Sequence, residues 1–371
     1  MSQIKISKKK LNLLQVFRGL AAVLVILIHG NSLFAINLKQ PFLSNAFKFG
    51  SAGVNFFFVL SGFIIYYVHK NDIGKKFKFK EFLFKRFLRV YPIYWIVLIP
   101  RLFSTTKDIN FITCLSSFVL FPYPSPPIVN VSWTLSFEVF FYLVFSLTIL
   151  AGLRYLAPLI FIWLATISFY WFFHSLNILT LPKNNLSLEF ILSGHHLEFC
   201  FGCLAAYIVT KFKVRQATPI LALGITLFSL SSIANVHIVN TIADSQSYPL
   251  YVRAIAPILT PMEEFSFVYY GIPSMLIVIG AAALDLNREI QIPSIFIYLG
   301  DASYSVYLTH ASVINILTNL IAKMHLENMF YSDLSKFFIL IISLLVGCIF
   351  HSYIEQPLLK VFRKKILVSR T

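Results

Sequence analysis

Arg18 and His29 stand eleven residues apart in the apolar stretch LNLLQVFRGLAAVLVILIHGNSLF, from Leu11 to Phe34. Eleven residues at 100° each make about three turns plus 20°, so the two side chains share one helix face about 16 Å apart. The stretch is long enough to cross a bilayer. An arginine at the centre of such a helix costs roughly 2.5–3.5 kcal/mol, which argues for a partner. One face therefore offers a fixed cation at one depth and a titratable imidazole three turns away, which suits general-base or nucleophilic chemistry. The alternative is that both groups lie near opposite interfaces and snorkel.

A second set of polar residues falls within other apolar runs. VNVSWTLSFEVFFYLVF carries Ser136, Glu138 and Tyr142. Glu138 lies about 10 Å from the outer end of a helix there, with Tyr142 on the same face one turn deeper. A carboxylate at that depth needs a partner, and His29, at similar depth, is the expected one: it would fix one tautomer and leave the other ring nitrogen as a base. Ser136 is turned away from that face. The run KRFLRVYP puts Arg86 and Arg89 on one helix face. Their planar donor forks suit phosphate, and with Arg18 they would form a phosphate-binding vestibule; ordinary anchoring of basic residues at a membrane face is the alternative. Asn55, in FGSAGVNFFFVLSGFII, is a buried amide among small residues that permit close helix approach. Ser303, Tyr307 and His310 form an i, i+4, i+7 stripe in YLGDASYSVYLTHASVI. There His310 is a second base, a substrate contact or a structural histidine, and Asp301 is placed to pair with an arginine. Adjacent His195 and His196 diverge by 100° and chelate one ion poorly, so no metal site is expected. Cys200 and Cys203, a CxxC within an apolar run, read as small packing residues. Glu355, in HSYIEQP, reads as interfacial, with the last span closing at Pro357.

These residues need helices to position them, and composition says of what kind. The chain has 371 residues, 58% hydrophobic and only 12% charged, with 39 Phe. Soluble proteins carry about 25% charged residues, so this is read as an all-α integral membrane protein. Ten candidate spans follow: about 12–34, 51–69, 87–105 (interrupted by Pro92 and Pro100), 131–151, 155–174, 188–210, 216–235, 265–285, 293–320 and 335–356. The short apolar piece 111–121 is re-entrant or interfacial, FPYPSPP at 121–127 is a loop, and the longest outer connection, about 236–264, ends in Glu263 and Glu264. A net charge of +16 would suggest nucleic acid in a soluble protein. Here the basic residues gather at helix ends, on the N-terminal segment, the Lys70–Arg89 loop and the C-terminal tail, which puts both termini in the cytoplasm and argues against a nucleic-acid partner. Lys8–Lys10 before an apolar run are like a signal sequence, but a retained first span is expected, since Arg18 interrupts the run and no cleavage pattern follows.

In order along the chain, Arg18-x10-His29, GVNFFFVLSGF, Arg86-x-x-Arg89, Ser136-x-Glu138-x3-Tyr142, EFCFG around Glu198, LGDASYSVYLTH and IEQP resemble the membrane-bound acyltransferase type 3 family. The resemblance runs from Leu11 to about Lys360 and treats the chain as one transmembrane domain. It is closest to the exopolysaccharide and lipopolysaccharide O-acetyltransferases that lack a fused outer esterase-like domain. One departure is Asn55, where the family pattern has an acidic residue. The resemblance implies a multi-pass enzyme of the cell inner or plasma membrane. Acetyl-CoA, or another acyl-CoA, would be the donor substrate, with no tightly bound cofactor. The acceptor would be a hydroxyl of a polysaccharide or lipid-linked glycan outside, with membrane lipid as the surrounding partner. Arg18, Arg86 and Arg89 would hold the donor phosphates, His29 would act as general base or acyl acceptor, Glu138 would orient it, and Tyr142, Ser136, Asn55, Tyr307 and His310 would support the substrates. A multi-span transporter or flippase is the alternative function, with Arg18, His29 and Glu138 as a proton or substrate path.

Overall fold

The computed structural model describes residues 10–40, 42–43, 46–104, 110–122, 127–179, 186–243, 265–288 and 290–368. Among the described residues, nine helical segments are long and apolar enough to cross a membrane. Nine of the ten spans expected from the sequence correspond to them. The tenth, at 87–105, lies in a 26-residue helix that starts earlier, at Phe79, and runs through both Pro92 and Pro100. The expected outer connection at 236–264 begins later, since α-helix continues to Ala243; the rest of it, with Glu263 and Glu264, and most of the FPYPSPP stretch fall outside the described residues.

The helices are α1 (Asn12–Asn37), α2 (Ala52–His69), α3 (Phe79–Ser104), α4 (Phe111–Val119), α5 (Trp133–Ala151), α6 (Leu153–Ser175), α7 (Leu186–Ile191), α8 (His195–Lys211), α9 (Ala217–Ala243), α10 (Ile272–Asn287), α11 (Ser294–Lys323), α12 (Asp333–Phe350) and α13 (Gln356–Val368). The main packing pairs are α1 with α11, α2 with α8, α9 with α10, and α11 with α12. Small residues let the first two pairs close up: a Cβ at Gly62 would overlap the Phe199 carbonyl, and one at Gly300 would overlap that of Gln15. Cys203 packs into the first crossing, its thiol donating to Gly62 O at 3.5 Å, and both CxxC thiols are free.

Helix ends are satisfied by distant groups. The Asp285 carboxylate, in the last turn of α10, accepts from Leu13 N at 2.9 Å and Leu14 N at 3.4 Å, meeting the orphan donors at the start of α1. The short apolar piece is α4, with Phe111 and Ile112 exposed and Asn110 capping it through Thr113 N at 2.6 Å. Its last carbonyls accept from α3: Tyr94 Oη reaches Ser117 O at 2.7 Å and Trp95 Nε1 reaches Phe118 O at 3.0 Å. A four-residue-spaced pair also ends α12. There the chain makes a π-helical turn, His351–Glu355, and runs straight into α13. Pro357 therefore does not close the span; it follows directly on the π turn within a continuous helical run, where the widened hydrogen-bond ladder takes up its missing N–H.

The two ends of the bundle are fixed by one contact. Gly74, in the basic loop after α2, donates from its backbone to Thr148 O, near the end of α5, at 3.2 Å. Trp133, at the start of α5, is thus about 22 Å away from that contact along the helix, at the opposite face.

Candidate functional site

A cavity of about 400 Å³ lies between α1, α2, α3, α5 and α11. Its wall follows α2 from Val68 to Val54, a run of about 21 Å at 1.5 Å per residue. Arg18, Arg86 and Arg89 all face it, as do Glu138, Tyr142 and Tyr307. Three arginines from two helices thus line one space. The Arg86 guanidinium lies over the rings of Phe82 and Tyr142, each at 5.4 Å, and its Nε is buried with no protein partner. Arg89 stacks over Tyr304 at 5.9 Å.

A second cavity, about 330 Å³, shares Gln15, Arg18 and Arg89 with the first and is bounded by Asp301, His351 and Glu355. Here the structure corrects the reading of Glu355 as interfacial. The residue is 1% exposed. Its carboxylate accepts from His351 Nδ1 and Ser305 Oγ, both at 2.7 Å, and stands 3.9 Å from Arg89 Nη1. The π turn aims it inward, a shift that heptad-like counting does not anticipate. Asp301 joins Glu355, Arg89 and Glu138 in the electrostatic surroundings of Arg18, as expected. A buried arginine amid those carboxylates is partnered by charge even without a tight fork.

Glu138 and His29 are not brought together. Glu138 accepts a short hydrogen bond from Tyr142 Oη, the same-face neighbour the spacing identified. Its charge belongs to the arginine end of the site, and no hydrogen bond joins it to His29 among the described residues. His29 instead meets His310: the rings lie edge to face, with centroids 4.9 Å apart at 78°. His29 Nδ1 donates to Val25 O at 3.0 Å, and His310 Nδ1 to Tyr307 O at 2.7 Å. These bonds put a proton on Nδ1 of each ring and leave each Nε2 with its lone pair. The buried Nε2 of His310 has no protein partner. Neither imidazole lines the cavity. Tyr307 does, with its ring 5.8 Å from His310, so ring contacts through Tyr307 and His310 connect the cavity wall to His29, which the cavity itself does not reach. Tyr307 is fixed by donating to Val131 O at 2.9 Å and pairing with Thr134 Oγ1 at 2.8 Å. Ser303 lines the cavity on the same stripe, its hydroxyl without a protein partner.

Of the other sequence candidates, Ser136 is buried and does not line the cavity. Asn55 is buried, and its amide donates to Glu198 Oε1 at 2.5 Å and to Ser266 Oγ at 2.9 Å. An acid at position 55 would set two carboxyl groups against each other over one proton. The amide makes Glu198 the single acceptor instead. Tyr304, Gln15 and Asp285 carried no mark in the sequence, because each acts across a long-range contact with no local pattern.

The acyltransferase domain family matches residues 11–353. The chain is also similar to the exopolysaccharide production protein ExoZ of Rhizobium meliloti (strain 1021), with 27% identity over 344 residues, covering 85% of this chain and 91% of the relative. No solved structure matches it.

Proposed function

The chain belongs to the acyltransferase domain family, and from that premise we propose that it moves an acetyl or other acyl group from acyl-CoA in the cytoplasm to a sugar hydroxyl of an exported polysaccharide. The observation that carries the reading is one elongated cavity with Arg18, Arg86, Arg89 and Tyr307 in its wall, and His310 and His29 in ring contact behind Tyr307. Arginine forks suit the donor's phosphates. A slot running about 21 Å along α2 suits a thin thioester arm. The similarity to an exopolysaccharide production protein supports a polysaccharide acceptor.

In this reading the arginine end binds the donor headgroup, and Glu138, held by Tyr142, offsets their summed charge. A backbone-oriented imidazole at the far end takes the acceptor hydroxyl's proton on Nε2. The hydroxyl oxygen forms the new bond to the acyl carbon, the carbon–sulfur bond breaks, and the CoA thiolate leaves with that proton. Alternatively the same Nε2 takes the acyl group first, releasing the thiol, and passes it to the hydroxyl. Incubating the purified chain with acyl-CoA alone separates the two: an acyl-histidine adduct in the mass spectrum marks the second route. Phe57, Phe58 and the aliphatic side chains that α2 places in the wall keep water from the thioester.

The test is the ester content of the cell's exported polysaccharide. Deleting the gene removes acyl esters, and restoring the wild type, but not His29→Ala, returns them while both proteins reach the membrane equally. Unchanged esters in the deletion strain would overturn the reading.

A further inference from the structure

At the opposite end of the bundle from the basic loop lies a third histidine that the acyl-transfer geometry leaves unused. His195 opens α8, and its Nδ1 donates to Glu198 Oε2 at 2.9 Å. Glu198 is 0% exposed, and its other oxygen accepts from Asn55. Both carboxylate oxygens are thereby committed, and the imidazole is locked with Nδ1 protonated and Nε2 open. That nitrogen has no protein partner among the described residues. The ring is walled by Phe58 at 4.6 Å, Phe137 at 5.3 Å and Trp133 at 5.5 Å. The His195 side chain keeps 20% of its surface, and Trp133 keeps 38%.

The arrangement is costly unless something uses it. A fully buried carboxylate with an amide clamp orients one imidazole nitrogen, and that nitrogen emerges beside an exposed indole rather than into the core. An aromatic face with one oriented hydrogen-bonding group at its edge is the chemistry that receives a sugar ring, whose C–H face is apolar and whose hydroxyls are polar. The position also fits: Phe58 forms the partition, with one face on His195 and another lining the main cavity. We propose that His195, held by Glu198 and Asn55 and flanked by Trp133, is the subsite that binds a sugar ring of the acceptor before transfer. This rests on the reading of the acceptor as a glycan. The hydroxyl that His195 Nε2 accepts from is a neighbour of the one acylated, so the residue binds and orients the acceptor.

The test uses the full chain in detergent, with oligosaccharides cut from the host's own exported polysaccharide and stripped of esters as the probe. Their binding quenches tryptophan fluorescence in the wild type. His195→Phe, which keeps the ring and removes both nitrogens, raises the acceptor Kd and KM about tenfold and leaves the KM for acyl-CoA unchanged. Trp133→Ala weakens the acceptor similarly; Trp133→Phe retains most of the affinity and loses the quench. Trp133 is exposed, so its variants carry the test even where His195→Phe lowers the yield of folded protein. Acceptor Kd values within twofold of wild type in Trp133→Ala, or an unchanged quench in Trp133→Phe, overturn the subsite while wild-type acyl transfer leaves the enzyme reading intact. A wild type that neither binds the oligosaccharide nor acylates it fails the enzyme reading itself.

Discussion

Two histidine systems flank the far end of one cavity, and they are built on opposite principles. His29 and His310 are oriented by backbone carbonyls one turn back in their own helices, and among the described residues no carboxylate hydrogen-bonds to either ring. His195 is oriented by a buried carboxylate that is itself clamped by an amide from α2. A carbonyl fixes the tautomer and leaves Nε2 free to gain and lose a proton or an acyl group. A buried carboxylate that is itself clamped also holds the ring rigidly in one orientation. The first arrangement suits turnover, the second suits a fixed contact. The difference teaches that a histidine near a carboxylate need not be the reacting one.

The contrast is broken most directly at His29. His29→Ala is expected to lower kcat by about 10²- to 10⁴-fold, the usual worth of a general base, with little change in acceptor Kd. A loss confined to acceptor binding would exchange the roles of the two histidines. Arg86→Ala comes next: removing one charge-assisted contact to phosphate should raise the acyl-CoA KM about 10- to 100-fold, and Lys76→Ala, on the exposed loop, should not. Equal effects from the two would reduce Arg86 to a membrane anchor. Glu138→Gln sharpens the comparison, because the sequence assigned this carboxylate to His29 and the structure seats it with Tyr142 and the arginines. A severalfold change in donor KM at constant pH profile fits the structure; a shifted pH profile of kcat would return Glu138 to the histidine.

Asn55→Asp has a smaller effect, directed at the other system. A second carboxyl against Glu198 forces the pair to share a proton, which loosens His195 and should raise the acceptor KM a few fold without touching the donor. Smallest is Asp285→Ala. It removes the acceptor for Leu13 N and Leu14 N and should cost about 1 kcal/mol of stability, read as a lower thermal midpoint, with both substrates' KM values moving together because Gln15 and Arg18 ride on α1.

Much of this was legible from residue types and spacing. Apolar length identified the spans, since a bilayer demands it whatever the packing. Arg18 declared itself by being charged where charge is costly, Arg86 and Arg89 by their three-residue spacing, and Tyr142 fell to Glu138 through simple four-residue geometry. The third span was less legible: the helix runs through both prolines but starts at Phe79, eight residues before the apolar run at 87. What local pattern could not supply was the pairing between spans. Rotation about a helix axis decides whether His29 meets Glu138 or His310, and that rotation is set by contacts such as Gly300 against Gln15, hundreds of residues apart. The π turn at His351–Glu355 turns an apparent surface glutamate inward, and Asn55 acquires its meaning only beside Glu198. The sequence determined which groups are buried in the membrane, because burial follows from composition along the chain. The tertiary structure alone decided which of them touch, because hydrogen bonds and ring contacts require angstrom-scale registry that helical periodicity does not carry across spans.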